Sequence, residues 1–129
     1  MNIPENYKFT DSNEWVKVEG NLATIGISDY AQSQLSDIVF AEIIVAVDDE
    51  IGKGDSIATI ESVKAAADVY TPVSGKVIAI NDELAAAPEV INSDPYGIAW
   101  MVKPELSSPD ELTRLMDAVA YEKFIQEQE

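Results

Sequence analysis

Apolar and polar residues alternate through EWVKVE (14–19), which sets Trp15 and Lys17 on one side and Val16 and Val18 on the other. The alternation resumes in LATIGIS (22–28), where Leu22, Thr24 and Gly26 stand opposite Ala23, Ile25 and Ile27. A period of two marks strands with unlike faces, and Gly20-Asn21 between the runs suits a tight turn. The pair predicts a β-hairpin. The period then lengthens. In SDYAQSQLSDI, Ala31, Leu35 and Ile38 recur at helical spacing behind Ser28 or Asp29, either of which can cap the helix. VFAEIIVAV (39–47) is rich in β-branched residues and reads as a buried strand.

From Gly54 to Gly75 there is no internal glycine, and SIATIESV and DVYTPVS both read as extended. Lys64 sits ten residues after Gly54 and eleven before Gly75, so a long hairpin would place it at the outer bend. Ser62–Val63–Lys64–Ala65 fits a type I turn, which accepts ordinary residues at its centre and favours serine first. KVIAIN (76–81) is a further strand, Asp82 can cap a short helix, and Pro88 starts a new turn. AWMVKP (99–104) reads as the last strand. Ser108, Pro109 and Glu111 then make a capping box. Leu112, Leu115, Met116 and Val119 form an apolar stripe that Tyr121, Phe124 and Ile125 restart out of phase. A continuous helix would not slip in this way, so a break is expected near Asp117, which can cap a second helix. The helical segment covers roughly 108–127. No linker or low-complexity stretch interrupts the 129 residues, and a single mainly β domain spanning 1–129 is expected.

Charge narrows the choice of partners. Eight Lys and Arg against 24 Asp and Glu give a net charge of −16, which repels nucleic acid and anionic membrane and favours partners with basic docking surfaces. Solubility alone is an alternative purpose for so acidic a surface. Cysteine and histidine are both absent. That removes thiol nucleophiles, disulfides, CxxC sites and the side chain best poised for proton transfer near neutral pH. No Asp-rich loop has calcium spacing. Catalysis by this chain alone is not expected, so any reactive group must come from elsewhere. The N-terminal stretch has neither signal nor transit character, and no apolar run approaches the roughly 20 residues that span a bilayer. A cytoplasmic protein is expected, and a mature mitochondrial form would look similar.

Lys64 is the candidate for bringing in that group. An isolated lysine at a bend is ordinarily a solvated turn residue. Ser62, Ala65, Ala66 and Ala67 nevertheless leave its amine open to a modifying enzyme, and an acylated lysine would carry a prosthetic group on a flexible stem.

ESVKAAADVYTPVSGKV (61–77) resembles the lipoylation segment of the glycine cleavage system H-protein family, with Lys64 in the lipoylated position. The likeness extends to NEWVKVEGNLATIGISDYAQSQLSDIVFAEI (13–43), INSDPYGIAW (91–100) and SPDELTRLMDAVAYEKF (108–124), in order and over nearly the whole chain. Biotin carriers place their lysine in Ala-Met-Lys-Met and dehydrogenase lipoyl domains in Asp-Lys-Ala, whereas this chain has Ser-Val-Lys-Ala. The chain departs from the family pattern at Asn13 (usually His), Ser36 (usually Gly), Ile43-Ile44 (usually Leu-Pro) and Ala99 (usually Gly). None of these touches the lysine.

The resemblance implies a lipoyl-carrier fold: a flattened barrel of two antiparallel sheets with short helices and a C-terminal helical segment. It implies lipoate in amide linkage on Lys64 and visits to three enzymes: a pyridoxal-phosphate glycine decarboxylase, a tetrahydrofolate-dependent aminomethyltransferase and a flavin-dependent dihydrolipoyl dehydrogenase. A lipoate ligase or lipoyltransferase would install the group, and the carrier itself would be monomeric and no catalyst. Ser12, Glu14 and Asp68 are implied as contacts for the protonated amine of the loaded arm in a sheltering cleft. Glu61 is implied as a cue to the lipoylating enzyme, and Gly54 as the residue setting the loop beneath the hairpin. Read without the family, Ser12 is a turn residue, Glu14 and Asp68 are exposed carboxylates, and Gly54 is a turn glycine. Two other roles stay open: an H-like donor of lipoyl groups to other enzymes, and an unmodified β-rich interaction module.

Overall fold

The computed structural model describes residues 2–128. The predicted first hairpin forms between β2 (Glu14–Glu19) and β3 (Leu22–Ile27), with Glu19 opposite Leu22 and Gly20 in the left-handed region at φ 64°. Helix α1 (Asp29–Leu35) follows, and the Ser28 hydroxyl accepts the Ala31 N–H at 3.1 Å, so Ser28 is the cap. Ile38 leaves the helical pattern and opens β4 (Ile38–Ile43).

β6 (Ser56–Ser62) and β7 (Ala66–Tyr70) pair antiparallel and, with β4, make a three-stranded sheet in the order β4-β6-β7. The larger sheet runs β1-β2-β3-β9-β8-β5, adding β1 (Lys8–Phe9), β5 (Glu50–Ile51), β8 (Gly75–Ile80) and β9 (Val102–Leu106). All neighbours are antiparallel. The two sheets of the expected fold are therefore present, but they stay separate rather than closing into a barrel. Ile25, Ile57, Ile60, Val69, Val77 and Met101 are fully buried in the main core, where removal of apolar area from water is the main stabilising term.

Several local expectations are corrected. The 39–47 stretch is not a buried strand: β4 ends at Ile43, and Val39, Phe40, Ile44 and Val47 are exposed. Asp82 is the first residue of a 3-10 turn (Asp82–Ala85) rather than its cap, a short helix α2 (Val90–Ser93) follows, and the last strand starts at Val102, not residue 99. The capping box does not form. Ser108 makes no side-chain cap bond, and residues Pro109–Arg114 wind as a 3-10 turn. Glu111 instead accepts from the Ser74 N–H at 2.6 Å and the Ser74 hydroxyl at 2.8 Å, a long-range partner that wins over the local one. The expected break is real. Asp117 caps α3 (Ala118–Gln128) by accepting the Ala120 N–H at 2.8 Å.

Helix α3 docks through a second core of Phe9, Trp15, Tyr30, Ala118, Tyr121 and Ile125. Tyr121 stacks on Phe9 with ring centres 4.4 Å apart and planes within 2°. Phe9 and Met116 exchange both main-chain hydrogen bonds, at 2.8 and 2.9 Å, which binds the C-terminal segment to the edge of the large sheet. Gly75 is required where β8 crosses β9, because a Cβ there would collide with the Glu105 carbonyl.

Candidate functional site

Lys64 stands at the outer bend of the β6–β7 hairpin and is exposed. The bend is closed by a side chain rather than by the main-chain bond of a type I turn. The Ser62 hydroxyl accepts the N–H groups of Lys64 at 3.1 Å and Ala65 at 3.0 Å, while the Ser62 N–H donates to the Ala65 carbonyl at 2.8 Å. The Val63 N–H donates to the Asp37 carbonyl at 3.0 Å and pins the bend to the start of β4. Small residues at 65–67 leave the lysine unobstructed, and its ammonium reaches back to the Gln34 carbonyl at the end of α1, 3.3 Å away.

Gln34 also lines a groove of about 190 Å³ between α1 and the free edge of β7. Its apolar lining comes from Ile27, Ala31, Leu35, Ile60, Ala67 and Val69, and its polar lining from Ser12, Asn13, Glu14 and Asp68. Gln34 thus links Lys64 to a groove that also holds all three residues expected to contact the amine. Ser12 and Asp68 are exposed at its margin, but Glu14 is not the exposed carboxylate that the bare sequence implied. It is only 2% exposed.

Glu14 is placed there by a tight turn. The Thr10 N–H donates to the Glu14 carbonyl at 3.0 Å, and Asn13 adopts φ 71°, which turns the chain from Ser12 into β2. The Glu14 carboxylate then accepts the hydroxyls of Thr10 at 2.6 Å and Ser12 at 2.7 Å on Oε1, and the Tyr70 N–H at 3.2 Å on Oε2. Neither ion pair among the described residues involves it; these join Lys17 to Glu19 and Lys76 to Asp48. A buried carboxylate held by neutral donors and outside any ion pair offers a strong acceptor to a cationic group entering the groove.

Gly54 does not reach this groove. It lies at φ 94° at the root of the hairpin, where its N–H donates to the Thr71 carbonyl at 2.8 Å. There it lines a depression of about 600 Å³ on the other side of Glu14, together with Lys53 and Arg114. Glu61 is exposed, pairs with Ala66 one step inside the bend, and occupies the outer face of the small sheet beside Phe40. Both positions frame the lysine hairpin without touching its groove.

The family model for the glycine cleavage H-protein matches residues 7–128. The chain belongs to the glycine cleavage H-protein family. Its relatives include the glycine cleavage system H proteins of Staphylococcus saprophyticus, 51% identical over 127 residues (98% of this chain, all of that one), and of Carboxydothermus hydrogenoformans, 48% identical over 126 residues (98% and 96%). The crystal structure of a glycine cleavage system H protein from Mycobacterium marinum superposes with a TM-score of 0.83 at 25% identity, covering 98% of each chain. As an H-family member the chain is a carrier protein of glycine cleavage and not its catalyst. The H-protein family carries lipoate and works within a multienzyme system.

Sequence reasoning missed three parts of this candidate site. The Gln34 carbonyl and the Tyr70 N–H are main-chain groups with no residue-type signal. Thr10 precedes the recognisable segment that starts at Asn13, although Thr-x-Ser-x-Glu at 10–14 spaces two hydroxyls for one carboxylate. The departure at Ser36 also has a structural consequence. Ser36 sits at φ 66°, ψ −152°, a region that glycine occupies without strain and serine does not.

Proposed function

We propose that Lys64 carries lipoate in amide linkage and that the groove beside it shelters the cargo-bearing end of the arm. The bound dithiolane supplies a sulfur that accepts and releases the one-carbon amine unit of glycine. The observation that carries this reading is the buried carboxylate of Glu14, in no ion pair among the described residues, in a groove whose lining residue Gln34 is touched by the Lys64 ammonium.

The residues fit the group. Lys64 offers an exposed amine on a pinned bend, and Ile27, Leu35, Ile60 and Val69 provide an apolar floor for a hydrocarbon stem. Glu14 and Asp68 supply negative charge for a protonated amine, and the Ser12 hydroxyl keeps Glu14 oriented. A narrow groove holds back water and so lengthens the life of a hydrolysable cargo. Glu61 presents its carboxylate beside the target lysine as a cue to the lipoate ligase or lipoyltransferase, and Gly54 shapes the root that holds the hairpin upright. The partners in turnover are glycine decarboxylase, aminomethyltransferase and dihydrolipoyl dehydrogenase, visited in turn by a monomeric, cytoplasmic carrier whose charge of −16 steers it onto basic docking surfaces. No helix among the described residues is long and apolar enough to cross a membrane.

The test is intact mass and peptide mapping after expression with lipoate and an active ligase. One lipoyl increment on Lys64 is expected, and none on Lys64→Arg, with glycine–bicarbonate exchange lost in that variant. An unmodified chain beside a modified control domain, or exchange retained by Lys64→Arg, would overturn the assignment.

A further inference from the structure

Tyr121 is fully buried and lies outside the groove, yet its hydroxyl bonds a residue that lines one wall and the residue that caps the helix forming the other. It donates to the Asn13 side-chain oxygen at 2.9 Å and lies 2.6 Å from the Ser28 hydroxyl. Because the tyrosine proton goes to Asn13, the Ser28 hydroxyl is the donor in the shorter contact, and its remaining lone pair takes the Ala31 N–H at 3.1 Å. The bonds therefore run in one direction, from Ser28 through Tyr121 to Asn13. Asn13 is the residue between Ser12 and Glu14. Ser28 caps α1, which supplies Ala31, Gln34 and Leu35 to the opposite wall. The main chain repeats the connection, since the Ser28 N–H donates to the Asn13 carbonyl at 2.9 Å.

We infer that Tyr121 is a positioning residue: through its hydroxyl, helix α3 sets the spacing of the groove walls and the orientation of the Ser12–Glu14 turn. This rests on the reading of the groove as the shelter for the loaded arm. The phenol touches no cargo and acts only through Asn13 and Ser28. The ring keeps its stack on Phe9 when only the hydroxyl is removed, so Tyr121→Phe tests the hydroxyl apart from the docking of α3.

The experiment uses the full-length carrier, lipoylated (checked by intact mass) and loaded with glycine by the decarboxylase, and follows ammonia release in buffer without folate. Wild type is compared with Tyr121→Phe, Ser28→Ala, Glu14→Ala and Ile125→Val, the last a core change on α3 that leaves the hydroxyl chain intact. Tyr121→Phe and Ser28→Ala are expected to speed ammonia loss about three- to tenfold, the range for loss of one to two orienting hydrogen bonds. Ile125→Val is expected to lower the melting temperature without speeding it. If Glu14→Ala is fast and Tyr121→Phe matches wild type, the positioning role is wrong and the groove reading stands. If Ile125→Val speeds release as much as Tyr121→Phe, the effect is general loosening and the inference falls. If Glu14→Ala itself matches wild type, the shelter fails and takes this inference with it.

Discussion

The Glu14 carboxylate accepts the main-chain N–H of Tyr70 at 3.2 Å, so the first hairpin is fastened to the edge of the hairpin that carries Lys64. One side chain therefore both closes an edge strand of the small sheet and charges the groove. Glu14→Ala leaves two hydroxyls and one N–H without their acceptor. Stability should fall by about 1–3 kcal/mol in urea unfolding. Lipoylation should remain complete by mass, because the bend at Lys64 is held by Ser62 and Asp37 instead.

Ser62→Ala separates the bend from the rest of the hairpin. The variant loses the acceptor for two consecutive N–H groups, and the β6–β7 register below the bend supplies no replacement. The cost should be about 1 kcal/mol at this exposed site. Faster amide exchange should appear at Lys64 and Ala65 and not at Val69, which NMR hydrogen exchange resolves directly.

Ser36→Gly should stabilise the protein. Serine at φ 66°, ψ −152° holds a conformation that costs about 1–3 kcal/mol for a residue with a Cβ. Glycine relieves that strain but adds freedom to the unfolded chain, offsetting up to about 1 kcal/mol. A net gain near 1 kcal/mol is expected from paired denaturation curves. The Ser36 carbonyl keeps its bond from the Asn92 side chain in either case.

Burial pushes the Tyr121 hydroxyl up from 10.0 to about 12, partly opposed by its hydrogen bond with Ser28. Tyr96 is raised for the same first reason. A pKa higher in the folded state means that the unfolded chain releases its proton first as pH rises. The contribution of Tyr121 is thus complete below pH 10 and fades as pH climbs from 10 through about 12. Melting temperatures of wild type and Tyr121→Phe should differ by a constant amount up to pH 10 and converge above it. A gap that stayed constant to pH 12 would contradict the buried, neutral phenol.

Most of the strand framework was legible because alternation survives wherever one face meets a core. The 14–28 hairpin was read from it, the β6–β7 pair from two extended runs without an internal glycine, and the phase slip at Asp117 marked the helix break correctly. Failures came where a distant group outbid a local one. Glu111 matched a capping box, but Ser74 takes its carboxylate; VFAEIIVAV looked buried by composition, but a sheet face left open to solvent exposes Val39 and Phe40. At the candidate site, spacing and small neighbours singled out Lys64 at the bend, while its proposed role came from the family resemblance. The burial of Glu14 was hidden, since it arises from the meeting of Thr10, Ser12 and the Tyr70 amide, three groups that only the fold assembles.

The Val63–Asp37 bond has a consequence for traffic. With the bend pinned to β4, an arm attached at Lys64 as proposed would have one fixed origin, and its reach would come only from the torsions of the lysine stem and what it carries. Two enzymes that need the same tip cannot occupy that origin together. Under the proposed function the carrier would be a queue with one place, its throughput set by how quickly each visitor lets go. A strongly charged surface suits such turn-taking, because long-range attraction speeds arrival without requiring the tight, slowly released contacts that would block the next in line.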